Sequence, residues 1–80
     1  MSRGKVHQGP VIIDWKAVGR RIRELRGFDK TQKVFAEGIG VSQNYLSAME
    51  HGKVQIGAEI LLTISERHGR SLEWLLTGKG

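Results

Sequence analysis

Eighty residues carrying 13 Lys or Arg against eight Asp or Glu, with a formal charge of +5 and no cysteine, make one basic domain with a small core. Without cysteine there is neither a disulfide framework nor a zinc finger, which fits a cytoplasmic protein. No apolar run approaches the roughly 20 residues that cross a bilayer, and no signal-peptide core opens the chain, so no membrane partner is expected. The charge is lopsided. Residues 1–27 hold seven basic residues against Asp14 and Glu24, whereas residues 28–80 balance six against six. Such a surplus attracts phosphate backbones or anionic surfaces, or simply keeps a protein soluble.

In chain order, residues 1–13 read as a flexible basic arm. The first ten, with two Gly, one Pro, Arg3 and Lys5, have no periodicity, and the folded part is expected over 14–78. Arg3 and Lys5 suit a minor groove or phosphates, unless the arm is only a leader. Asp14 is an N-cap for a first helix whose apolar stripe is Trp15, Val18, Ile22 and Leu25, ended by Gly27. Its other faces carry Lys16, Arg20, Arg21 and Arg23, which form a solvated surface or clamp phosphate. After the loop Phe28–Lys30, Thr31 caps a second helix with apolar positions Val34, Phe35, Ala36 and Ile39. Gly38 should leave its end soft, at about 0.5–1 kcal/mol relative to Ala.

Gly40 suits a left-handed turn, and Ser42 two residues later caps a third helix stapled by Val41 and Leu46. Helical spacing turns Tyr45, Leu46 and Met49 inward and Gln43, Asn44, Ser47, Ala48 and His51 outward. Two short helices joined by a Gly turn form either a helix-turn-helix, whose second helix fits the major groove, or an ordinary helical hairpin of some unrelated bundle. The outward face favours the former. Gln and Asn pair bidentately with adenine edges and Ser reaches any base, whereas a merely solvated face would carry Lys and Glu. An extended connector, Lys53–Ile56, follows, with Lys53 placed for phosphate. Gly57 opens a fourth helix with Ile60, Leu61 and Ile64 inside, and Gly69 ends it. Ser71 caps a short fifth helix too apolar to be exposed throughout. Part packs on the core, while Trp74 and Leu76 are expected to leave a dimer patch. His7, His51 and His68 lack metal or triad spacing, so no catalysis, metal, cofactor or small-molecule ligand is expected; His51 is kept as a phosphate donor.

Thr31-Gln32, Phe35-Ala36, Gly40-Val41-Ser42-Gln43, Tyr45-Leu46-Ser47, Met49-Glu50-His51-Gly52 and Ser71-Leu72-Glu73-Trp74-Leu75-Leu76-Thr77-Gly78 stand in an order and spacing that resembles the phage-repressor-like helix-turn-helix family, the lambda-repressor-like or XRE domains, over about Val18 to Gly78. The resemblance implies a compact all-α fold of five helices with the helix-turn-helix formed by helices 2 and 3. It implies a transcriptional regulator, a repressor of phage or prokaryotic type, that binds double-stranded DNA at a two-fold operator as a homodimer. It would be cytoplasmic, and nucleoid-associated when bound. Helix 3, about residues 42–50, would read bases with Gln43, Asn44, Ser47 and Ala48. Gln32 would contact phosphate and brace Gln43, with Tyr45, His51, Lys53, Lys16, Arg20 and Arg21 as further phosphate contacts, and Arg26 would pair with Glu50. The chain departs from the family pattern at Gly38 and in lacking Pro and a hydroxyl residue at the start of helix 4. The alternatives are a protein-interaction module, such as an antitoxin-like component, and the N-terminal DNA-binding fragment of a longer regulator.

Overall fold

Among residues 9–80, which the computed structural model describes, the chain forms five helices: α1 (Trp15–Arg26), α2 (Gln32–Ile39), α3 (Gln43–Glu50), α4 (Ala58–His68) and α5 (Leu72–Thr77). Arg3 and Lys5 lie outside the described residues. Of the expected arm, Val11 and Ile12 are exposed while Ile13 packs against the core.

Four of the five helices start where a short polar side chain accepts a free N–H of the first turn. Asp14 Oδ1 accepts from Ala17 at 3.1 Å, Thr31 Oγ1 from Val34 at 3.2 Å, Ser42 Oγ from Tyr45 at 3.0 Å and Ser71 Oγ from Trp74 at 2.9 Å. Gly57, without a side chain, caps α4 by backbone conformation alone. Between α2 and α3 the chain turns within three residues because Gly40 sits at φ 77°. There its own N–H reaches Glu37 O and that of Val41 reaches Ala36 O at 3.0 Å, satisfying carbonyls the ending helix would otherwise orphan.

Val18 and Ile22 of α1, Phe35, Ala36 and Ile39 of α2, Leu46 and Met49 of α3, Ile56, Leu61 and Ile64 around α4, and Leu75 of α5 form one buried cluster. Each large member contributes about 1.5–3 kcal/mol by leaving water. α1 packs on α3 and α5, α2 on α3 and α4, and α4 on α5. The third helix is thus held from behind by two others.

The contact of α1 with the exit of α3 is backbone-close. A Cβ on Gly19 would lie 2.6 Å from Glu50 O, and one on Gly52 2.6 Å from Lys16 Cα. Val34 departs from its expected inward place: it is 52% exposed, because Phe35, Ala36 and Ile39 already fill the arc that faces the core. Trp15, Leu25 and Ile60 are half-buried at the rim of the cluster.

Candidate nucleic-acid interface

The outer side of α3 begins with Gln43 and Asn44, both exposed, followed one turn on by Ser47 and Ala48, both half-buried. Ser42 spends its hydroxyl on Tyr45 N–H, so the N–H groups of Gln43 and Asn44, with no helical carbonyl behind them, point out of the helix start. The same holds at α2, where Thr31 takes Val34 N–H and leaves those of Gln32 and Lys33. The N-termini of α2 and α3 therefore each present free donors and a positive dipole end, a setting that favours anions. Tyr45 is half-buried against the core.

The other end of α3 is fixed by one carboxylate. Glu50, its side chain only 3% exposed, accepts from Arg26 Nε at 2.8 Å through Oε2 and from Arg26 Nη2 at 3.0 Å through Oε1. Gln32 Nε2 donates to the same Oε1 at 3.0 Å. Arg26 Nη1 continues to Lys30 O at 3.1 Å, so the loop before α2 joins the network. Burial pushes the Glu50 carboxyl up, but the hydrogen bonds from Arg26 and Gln32, with the charges of Arg26 and Arg23, outweigh it and hold the group below the usual carboxylate range. The Glu50 partnership raises Arg26 in turn.

Several expected side chains are committed elsewhere. Gln32 turns its amide nitrogen to Glu50 instead of Gln43, because the charged oxygen is the stronger acceptor. Arg21, expected at phosphate, is half-buried and donates from Nη1 to Leu75 O at 2.9 Å, capping the end of α5. His51 sits 2.7 Å from Ser47 O through Nδ1, which places its neutral-form hydrogen there and leaves Nε2 as an acceptor. It can donate to phosphate only when doubly protonated. Lys16, Arg20 and Lys53 are exposed. Lys16 lies beside Gly52 at the exit of α3, and Lys53 is anchored by its N–H to Ala48 O at 2.9 Å.

On α5 the expected dimer patch is mostly turned inward. Trp74 and Leu76 are half-buried against the core, with Arg70 lying 3.8 Å over the indole ring, and Leu72 is the exposed apolar residue, at 38%. Two ties between α4 and α2 had no signature in the sequence: His68 stacks on Phe35 at 4.7 Å between ring centroids, and Arg67 Nη1 donates to Gly38 O. Burial, and then the charges of Lys30 and Arg67, hold His68 below the ordinary imidazole range. Among the described residues, no helix is long and apolar enough to cross a membrane.

A sequence profile of the helix-turn-helix family matches residues 20–75. The chain is 37% identical over 62 residues to the propionyl-CoA carboxylase regulator of Cereibacter sphaeroides, an alignment covering 76% of this chain and 13% of that protein, which is therefore much longer. The P22 c2 repressor, in complex with synthetic operator 9T, superposes with a TM-score of 0.71 at 30% identity, covering 78% of this chain and 96% of that one. The clp gene regulator ClgR from C. glutamicum does so with 0.66 at 28%, covering 84% and 86%.

Proposed function

The chain belongs to the helix-turn-helix family of DNA-binding transcriptional regulators, and we propose that it acts as a repressor that lays α3 in the major groove of double-stranded DNA. The observation that carries this reading is the pairing of two free helix N-termini with an uncharged amide face. Gln43 and Asn44 stand exposed at the first turn of α3, and the start of α2 carries its own free N–H groups; amides in that position have little reason to replace Lys or Glu unless they meet base edges.

In this reading Gln43 and Asn44 take the base edges, Ser47 contributes its hydroxyl and Ala48 a methyl contact to thymine. Phosphates lie on the backbone N–H of Gln32, on Lys53, Lys16 and Arg20, and on the Tyr45 hydroxyl, with His51 joining when charged. Arg21 is left out of the set because its guanidinium closes α5. The reading includes a homodimer on a two-fold operator, whose two reading helices would lie about 34–36 Å apart on one DNA face. The protein would act in the cytoplasm, where its DNA lies.

Two substitutions separate base reading from phosphate holding. Measured by fluorescence anisotropy on a preferred duplex, Gln43→Ala should lose about 1–3 kcal/mol, concentrated at one base position. Lys53→Ala should weaken all duplexes alike and reduce the salt slope by about one. Equal, sequence-independent losses from both would mean that Gln43 does not face the bases.

A further inference from the structure

We propose that Gln32 is a positioning residue that ties the phosphate-facing end of α2 to the reading helix through Glu50 and not through Gln43. The inference rests on the DNA-binding reading above and adds the path by which one contact constrains the other.

Gln32 opens α2 and is half-buried. As the first helical residue it has an unpaired backbone N–H at the position where the helix dipole favours phosphate. Its side chain runs the other way, to Oε1 of Glu50 at 3.0 Å. Glu50 is the last residue of α3, and its carboxylate is already fixed to α1 by both nitrogens of Arg26. One carboxylate therefore receives α1 through Oε2 and Oε1, and α2 through Oε1 alone. Remove the Gln32 amide and α3 stays docked on α1, because the Arg26 fork remains. What is lost is the polar tie between α2 and the far end of α3, leaving the apolar packing and the turn at Gly40 to hold the two helices in register.

The consequence is geometric. A phosphate seated on α2 and bases met by α3 are on one DNA, so the two seats must keep a fixed separation. Gln32 sets it with a charge-assisted hydrogen bond to a buried acceptor, the strongest kind available to an amide. A brace between Gln32 and Gln43 would instead run to an exposed, uncharged side chain.

The two paths make opposite forecasts in double-mutant cycles. A duplex enriched by the wild-type protein from a random pool and an unselected random duplex serve as probes, with affinities measured at one salt concentration and well below every variant's melting temperature. Gln32→Ala should lower the ratio of selected to random affinity by about fivefold or more. That loss should persist unchanged in a Gln43→Ala background and largely vanish in a Glu50→Gln background. Should Glu50→Gln fail to fold, the Gln43 cycle decides alone. A full ratio in Gln32→Ala, or a loss that disappears in the Gln43→Ala background, would overturn the Glu50 path. A wild-type protein that enriches no sequence would overturn the DNA reading, and this proposal with it.

Discussion

At the scale of single residues, Glu50, which gathers hydrogen bonds from Arg26 and Gln32, and His68, stacked half-buried on Phe35, both respond to acid. Glu50 is held below the usual carboxylate range, so its contribution is complete above the unfolded carboxylate's titration near 4.3 and is lost as pH falls through the lower folded value. His68 is also held low, but its charged form is the protonated one. Above about 6.5 both states are neutral; below it the unfolded chain takes up a proton that the folded one resists, so stability drops as pH falls toward the folded value. Melting temperature should therefore decline in two stages, first from near neutrality and again below about pH 4.5. His68→Phe, which keeps an aromatic ring against Phe35, should flatten the first stage and leave the second; an unchanged first stage would assign it to another group. Arg26→Ala leaves a buried carboxylate without its main partner and should cost about 3–5 kcal/mol in chemical denaturation. It should lower stability before it alters base preference. A variant that melts normally and loses sequence discrimination would contradict the structural role of the pair.

At the scale of elements, two glycines in helices differ because of their neighbours. Gly19 lets the backbone of α1 lie on the last carbonyls of α3, and any Cβ there meets backbone that cannot step aside. Gly19→Ala should destabilise by about 1–3 kcal/mol. Gly38 has open space around it, so Gly38→Ala should stabilise by about 0.5–1 kcal/mol. Thermal melts of the two variants should move in opposite directions. The sequence made the caps legible because Asp14, Thr31, Ser42 and Ser71 act locally, within three residues of the N–H they accept. The core faces were legible through spacing, except where α2 had more apolar residues than its inner arc could hold and Val34 was left outside. Long-range polar partners were harder. The Arg26–Glu50 pair could be expected only from family resemblance, whereas the turn of Gln32 to Glu50, the cap of Arg21 on α5 and the Phe35–His68 stack join residues 18 to 54 positions apart or lie on facing helices. No local pattern encodes such pairs.

At the scale of the whole molecule, the positive charge of the first 27 residues is partly internal. Arg21 and Arg26 are used to hold the fold, and Lys16, Arg20 and Arg23 remain exposed. Fewer cations are therefore available to phosphate than composition suggests, and a single domain should lose affinity with salt at a modest slope that doubles when two domains bind together. The exposed apolar surface on α5 is small, centred on Leu72, so dimerisation is expected to be weak without DNA. Sedimentation of the free protein should give mostly monomer at micromolar concentration, with two copies per duplex in the complex. A tight free dimer would require an interface other than this one.

The central claim is that α3 reads bases from the exposed amides that follow Ser42. It is tested most directly by selecting duplexes from a random pool with the wild-type protein and with Gln43→Ala. The wild type should enrich a motif of two inverted half-sites one helical turn apart, and the variant should relax the same base position in each half while keeping the rest. Enrichment of no motif, or of an identical motif by both proteins, would contradict it.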